Sequence, residues 1–197
     1  GAADFLRQEG AHVDTIVVMG SGEPLENYDN VISALRLLHA DDTIGLSYRG
    51  ITLSTSGIVP GILRLSEEGM PISLSISLHA PTEELRSSLM PVNRMYPMAD
   101  VLRAAQTYAA RTKRRVTYEY ILILQAEDGI REAEQLAELL RGQLASVNLI
   151  PINPVVERNL LRPSKGTVRR FQRVLEERHI TATVRREMGT DIQAACG

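Results

Sequence analysis

The chain has 197 residues, of which 44% are hydrophobic and 23% charged, and its formal net charge is −2. This length suffices for one domain with a sizeable buried core. No apolar run approaches the roughly 18 residues that a membrane helix needs, and no signal-peptide pattern opens the sequence, so we expect a cytoplasmic protein without membrane contact. The single cysteine, Cys196, excludes an internal disulfide framework, a zinc site of several thiolates and a self-contained iron–sulfur site.

Six short runs along the chain have the length and the β-branched or apolar composition of strands. They lie at about 13–19, 51–55, 72–78, 116–124, 147–151 and 180–184. Helical periodicity is clearest at 31–38, 133–140 and 168–175. Because parallel neighbours are joined by helical crossovers, this alternation predicts an α/β fold, either an open doubly wound sheet or an incomplete barrel.

The last third of the chain combines an irregular stretch with a concentration of positive charge. Residues 152–166 are interpreted as a long loop, the kind of segment that is often functional in compact domains. Residues 157–186 contain nine basic and three acidic residues, so this segment carries +6 and the remaining chain −8. On the helix predicted at 168–175, Arg169, Arg170 and Arg173 face outward. This face fits contact with a polyanion such as RNA, although a solvated helix face is the commoner cause of such a run.

The residues that follow the first three strands are the first candidates for a site, because ligands of parallel α/β folds gather at the carboxyl ends of the strands. After the first strand, Gly22 lets the backbone approach a ligand and Glu23 offers a carboxylate for a ligand ammonium. Taken alone, this loop is more simply explained as a tight turn with a solvated Glu. Ser54 and Ser77 end the next two strands and can hydrogen-bond a polar small molecule. His79 can serve as acid, base or ligand, or as a structural group.

Two further candidates come later in the chain. Asn153 stands between two prolines, so its backbone is nearly fixed and its amide suits a hydrogen bond to a sugar or an amino acid, or a plain turn. Cys196 lies among small residues near the end of the sequence, which makes its thiol accessible, although a lone terminal cysteine has no role in most proteins. No side chain at metal-ligand spacing accompanies these residues, so we assign no metal ligand.

Six blocks of the sequence carry a resemblance that no single strand end carries. In chain order they are GSGEPLENYDNV, ITLSTSGIVPGI, ISLSISLHAPTEELRSSLMPVNRMYP, VNLIPINP, RPSKGTVRRFQ and TVRREMGTDIQAACG. Their order and spacing resemble the RlmN/Cfr family of radical S-adenosylmethionine (SAM) RNA methyltransferases, with the RlmN branch closer. The resemblance runs from about residue 13 to the end, and its SLHAP and DIQAACG blocks are the most specific.

The resemblance implies a partial parallel (βα) radical-SAM, TIM-like barrel that lacks the first βα unit and binds SAM across the strand ends. Gly22 and Glu23 match the pair that receives the methionine amino group of SAM. The other implied SAM contacts are Ser54, Ser77, Leu78, His79 and Asn153. Cys196 matches the catalytic cysteine that is methylated by one SAM and delivers its carbon to C2 of an adenine in large-subunit ribosomal RNA. For the RlmN branch, certain transfer RNAs are also implied substrates.

The resemblance also implies parts that this sequence lacks. The family uses a four-iron four-sulfur (4Fe-4S) cluster held by a CxxxCxxC loop, a second cysteine, an N-terminal RNA-binding domain and an external electron donor. We therefore expect residues 1–197 to be the C-terminal part of a monomeric radical SAM enzyme, inactive alone, with a mobile catalytic tail at about 189–197. PVVERNLLRPS stands where the family more often has a glycine- and proline-rich turn. The alternative is a non-catalytic α/β module that retains SAM or RNA binding.

Overall fold

The six strands form one parallel sheet. The structure is a computed structural model, and it describes residues 8–123, 129–152 and 163–185. The strands are β1 (Ile16–Val18), β2 (Ile51–Thr55), β3 (Ser73–Ser77), β4 (Val116–Leu122), β5 (Ala145–Pro151) and β6 (Thr181–Val184). Each strand pairs in parallel with the next one in the chain. The six predicted strands are thus confirmed, with β1 shorter than predicted and β5 beginning two residues earlier.

Helices connect the strands. They are α1 (Tyr28–His39), α2 (Val59–Leu65), α3 (Glu83–Leu89), α4 (Met98–Thr112), α5 (Ile130–Leu139) and α6 (Lys165–Glu177). The predictions at 31–38, 133–140 and 168–175 are confirmed by α1, α5 and α6, whereas α2, α3 and α4 were not individually predicted. Because α6 begins at Lys165, the loop predicted at 152–166 extends too far. Within the described residues no helix is long and apolar enough to cross a membrane.

The strand order distinguishes the two predicted architectures. A doubly wound sheet reverses its strand order, whereas the order β1-β2-β3-β4-β5-β6 advances in one direction, as in a barrel. The sheet also curls, because Nη2 of Arg185, just after β6, lies 3.6 Å from Sδ of Met19, just after β1. Of the two predicted architectures, the structure therefore has the incomplete barrel and not the doubly wound sheet.

The two faces of the sheet differ in polarity. On β3, Leu74 and Ile76 are fully buried in the hydrophobic core, while Ser73, Ser75 and Ser77 alternate with them and share the other, inner face. On the outer side, Val168, Phe171 and Leu175 of α6 are buried, and the rings of Phe171 and Tyr120 lie 5.4 Å apart. Arg169, Arg170 and Arg173 are exposed, which confirms their predicted outward orientation.

Candidate functional site

Glu23 is fixed by the chain itself. Its Oε1 accepts hydrogen bonds from the Leu25 N–H (3.0 Å) and the Thr55 hydroxyl (2.8 Å). Its Oε2 accepts from the N–H (2.7 Å) and the hydroxyl (2.8 Å) of Ser56. The carboxylate therefore joins the loop after β1 to the end of β2, and the interpretation of Glu23 as a solvated turn residue is wrong. The side chain remains half-buried, so part of it is reachable from solvent.

Gly22 lies beside open space. Its φ of 112° is in the region that favours glycine, and a Cβ built on it meets no atom within 4 Å. The need for glycine here is therefore conformational, and the backbone of this loop is accessible to a ligand. Ser54 is half-buried on the inner face of the sheet, where it lies opposite Ser75 in the register of β2 and β3.

The end of β3 places Ser77, Leu78 and His79 beside β4. The backbone N–H groups of Leu78 and His79 both donate to the carbonyl of Glu119, at 3.1 Å each. The Leu78 side chain is fully buried in the core, so its backbone is the part that can contact a ligand. Ser77 is half-buried at the last position of the strand.

His79 is held as a neutral imidazole. Its φ is 61°, and its Nδ1 accepts a hydrogen bond from the N–H of Ile121 at 3.3 Å. Burial, together with the smaller effect of the positive charge of Arg86, lowers the pKa of His79 to about 4. Since Nδ1 is an acceptor, the ring proton belongs on Nε2. His79 therefore offers a neutral N–H donor near pH 7, which argues against a role as an imidazolium acid.

Arg86 is a residue of this site that the sequence analysis missed. It is fully buried, and its Nη2 donates to the carbonyls of Ser56 (2.7 Å) and Ser77 (3.2 Å), at the ends of β2 and β3. Its Nη1 donates to Oδ1 of the buried Asn93. An arginine on a short helix is normally expected at the surface, so no local signal in the sequence identifies Arg86 as a buried residue of the site.

Glu119 is a second missed residue, on the inner face of β4. Its buried carboxylate accepts from the Ser75 hydroxyl (2.8 Å) and from Nδ2 of Asn148 (2.9 Å). The Thr183 hydroxyl donates to Oδ1 of Asn148 at 3.2 Å. A line of polar side chains thus crosses the inner face from β3 to β6. The available signal was a carboxylate between Tyr118 and Tyr120, on the same face of the strand as Thr117 and Ile121.

Some of the predicted site lies outside the described residues. Asn153 and Cys196 are among them, as is the segment 189–197. Within the ranges 8–123, 129–152 and 163–185 there is no group of three or more His, Cys, Asp or Glu that could hold a metal ion.

The fold and the strand ends together define a class of protein. A parallel sheet that winds in one direction, with accessible backbone and fixed polar groups at its carboxyl edge, is a barrel-type α/β fold, a class in which ligand sites lie at the carboxyl ends of the strands. The sequence profile described as the Radical SAM superfamily matches residues 3–140. The chain belongs to the radical SAM superfamily.

Several proteins share sequence with most of the chain, and two relatives and one solved structure serve as examples. "Probable dual-specificity RNA methyltransferase RlmN" of Symbiobacterium thermophilum is 60% identical over 96% of this chain and 51% of that protein. The protein of the same name from Geobacillus thermodenitrificans is 49% identical over 98% of this chain and 53% of that protein. The crystal structure of a radical SAM methyltransferase from Sphaerobacter thermophilus has a TM-score of 0.92 and 47% identity, covering 100% of this chain and 57% of that one.

More distant structures share the fold alone. A domain of pyruvate-formate lyase-activating enzyme from Bacteroides vulgatus has a TM-score of 0.65 at 16% identity, covering 88% of this chain and 100% of that one. SuiB of Streptococcus suis, solved with S-adenosylmethionine bound, has a TM-score of 0.62 at 12% identity, covering 87% of this chain and 39% of that one. The chain spans about half the length of the curated relatives it matches.

Proposed function

We propose that this chain is the C-terminal part of the barrel of a radical SAM methyltransferase that acts on C2 of adenine in large-subunit ribosomal RNA and in transfer RNA. The observation that carries the proposal is the 60% identity to an RlmN protein over 96% of this chain. The proposal implies a cytoplasmic location, where these RNAs are found. The isolated chain is expected to be inactive, because it holds a single cysteine.

The strand ends fit SAM as a ligand. Glu23 offers a half-buried carboxylate to the ammonium of the ligand, and the accessible backbone at Gly22 allows close approach beside it. Ser54, Ser77 and the Nε2–H of His79 supply neutral polar groups along the same edge of the sheet. When bound, SAM supplies the methyl group. From the family resemblance, we assign the Asn153 amide to the same ligand and the thiol of Cys196 to accepting and carrying the methyl.

The residues of this chain do not fit a 4Fe-4S cluster. Such a site needs three thiolates, and the sequence has one cysteine. We therefore assign the cluster, and the external electron donor that reduces it, to the complete protein and derive no step through them. The exposed arginines of α6 are assigned to contact with RNA phosphates.

The test uses the complete protein, purified and reconstituted without oxygen, with SAM, a reductant and a large-subunit ribosomal RNA fragment. Mass spectrometry of the digested RNA is expected to show 2-methyladenosine, and none with Cys196→Ser, because a serine hydroxyl is far too weak a nucleophile to accept the methyl at neutral pH. The Ser variant is expected to retain its cluster absorbance. RNA that stays unmethylated with the wild-type protein overturns the proposal, and methylation by the Ser variant overturns the assignment of Cys196.

A further inference from the structure

Arg86 is a buried cation that makes no direct ion pair with a described residue; the Glu83 carboxylate attracts it with Asn93 lying between them. The exposed fraction of Arg86 is 0%, and within the described part of the chain its guanidinium hydrogen-bonds to neutral oxygens, those of Ser56, Ser77 and Asn93. Its Nε is buried without a partner. A buried charge is costly unless it is directly paired, and the attraction of Glu83 through Asn93 offsets that cost only in part, so we ask what else Arg86 does.

The contacts of Arg86 lead directly to Glu23. Nη2 of Arg86 donates to the carbonyl of Ser56, and the same residue gives its N–H and its hydroxyl to Oε2 of Glu23. Nη2 also reaches the carbonyl of Ser77. One guanidinium thus joins the ends of two neighbouring strands at the point where Glu23 is held.

We propose that Arg86 is a positioning residue, which ties the ends of β2 and β3 together and thereby holds the Ser56 donors, and through them the Glu23 carboxylate, in the orientation that receives the ligand ammonium. The ligand part of this inference rests on the proposed function, since it takes SAM as the ligand of Glu23. The positioning part concerns this chain alone.

The turn after β2 is shaped to admit the guanidinium. A Cβ built on Gly57 lies 3.1 Å from Nη2 of Arg86 and 3.1 Å from Cγ2 of Val101, and the φ of Gly57 is 111°. Any side chain at this position pushes against Arg86 and strains the turn. Gly57 and Arg86 therefore act as one unit, and a substitution of either is expected to disturb Ser56.

The other end of the guanidinium is held by the connection between α3 and α4. Asn93 accepts from Nη1, and its Nδ2 donates to Oε1 of Glu83 at 2.7 Å. Oε2 of Glu83 accepts from the N–H of Met98, the first residue of α4, at 3.0 Å. The orientation of Arg86 is thus set by helices outside the sheet and transmitted to the strand ends.

The test compares Arg86→Gln and Arg86→Lys in the complete, cluster-loaded protein. Arg103→Gln is the matched control, because Arg103 is exposed on α4 and pairs with Asp100. Hydrogen exchange of the backbone amides at 55–58 measures how firmly the end of β2 is held, and calorimetry measures the Kd for SAM. For Arg86→Gln we expect at least tenfold faster exchange at 55–58 and an at least tenfold higher Kd and KM for SAM, with a smaller change in kcat. Arg86→Lys keeps the charge but has a single donor nitrogen in place of the fork of the guanidinium, and is expected to lie between wild type and Arg86→Gln.

A purely structural role gives a different result. It lowers the unfolding midpoint but leaves the exchange at 55–58 and the Kd of the folded protein as in wild type, and that result overturns the inference. If Arg86→Gln does not fold, Arg86→Lys and Gly57→Ala decide by the same two measurements. If the wild-type protein does not bind SAM, the proposed function fails, and the exchange at 55–58 alone decides whether Arg86 positions the strand ends.

Discussion

Ser56 gives both of its donors, the backbone N–H and the hydroxyl, to one oxygen of Glu23, at 2.7 and 2.8 Å. The direction of the Glu23 carboxylate is therefore set by the end of a neighbouring strand. A carboxylate that is already oriented loses little conformational entropy when an ammonium binds to it. The geometry at the end of β2 thus bears directly on ligand affinity.

We expect Glu23→Gln to weaken SAM binding to the complete protein by about 10- to 100-fold. The substitution keeps the shape of the side chain but removes its charge, and a hydrogen bond to a charged group contributes about 1.5–3 kcal/mol. In the variant, an amide NH2 also faces N–H or hydroxyl donors that hydrogen-bond to a carboxylate oxygen in the wild-type protein. Calorimetry measures the Kd, with Glu26→Gln, at an exposed position three residues further along the chain, as the control. Equal affinity of both variants contradicts the role of Glu23.

We expect His79 to make the protein less stable as the pH falls from 6.5 to 4. The pKa of His79 is about 4 in the folded protein against 6.5 in the unfolded chain, so the unfolded state binds more protons in this window and is favoured by acid. Above pH 6.5 both states are neutral and the effect vanishes. His79→Asn removes this contribution, which amounts to about 3 kcal/mol over the whole window, and asparagine tolerates the φ of 61°.

Urea unfolding at pH 7 and pH 4.5 measures the effect of His79→Asn. Wild type is expected to lose more unfolding free energy than the variant between these two pH values. His12→Asn, at an exposed position, is the control and should behave as wild type. Equal losses in wild type and His79→Asn contradict a neutral, buried imidazole.

We expect Glu119→Gln to be tolerated and Glu119→Met to be destabilising. The Ser75 hydroxyl can reverse and accept from the new amide, while the amide oxygen still accepts from Asn148, so glutamine leaves both partners satisfied. Methionine has a similar length but no such acceptor, and it leaves the Nδ2 of Asn148 unpaired. The difference in unfolding free energy is expected to be about 1–3 kcal/mol. Urea unfolding measures it, and equal stability of the two variants shows that the inner-face hydrogen bonds do not matter.

We expect replacement of Arg169, Arg170 and Arg173 by Ala to reduce the salt dependence of RNA binding. Each phosphate contact that is lost makes the negative slope of log K against log salt less steep by roughly 0.7–0.9. The loss of three contacts therefore makes it less steep by about two to three. The preference among RNA sequences is expected to stay unchanged. Filter binding at several salt concentrations measures the slope.

The control for the arginine face of α6 is a triple variant of other exposed arginines. Arg64, Arg103 and Arg111 lie on α2 and α4 and are about half or more exposed. Their replacement by Ala changes the net charge equally but is expected to alter the slope by less than one. If both triple variants reduce the slope equally, the effect comes from net charge and α6 is an ordinary solvated face.

The strands and their carboxyl ends could be predicted from the sequence because they depend on local patterns. β-branched runs such as ITLST and the glycines and prolines that follow them are confined to a few residues, and Glu23 stood out by its position after such a run. α4 could have been predicted in the same way. Its buried positions Met98, Val101, Leu102 and Ala105 have helical spacing.

The contacts within the site could not be predicted because they join distant parts of the chain. Thr55 and Ser56 hold Glu23 across more than thirty residues of sequence, and Arg86 reaches Ser56 across thirty. A hydroxyl at a strand end looks the same in the sequence whether it meets a ligand or a carboxylate of its own protein. The sequence therefore indicated Ser54 as a ligand contact, but it did not show that Thr55 and Ser56, the next two residues, hold the Glu23 carboxylate.

The lengths of the strands have a consequence for the behaviour of the protein at high concentration. β4 and β5, which each have a neighbour on both sides, have seven residues each, whereas the edge strands β1 and β6 of the described sheet have three and four. An edge strand exposes backbone groups that can pair with another molecule, and short edges offer few of them. The Arg185 side chain, which reaches across from β6 to Met19, places a charge at this gap. Each described edge of this chain therefore offers only three or four residues to a strand of another copy.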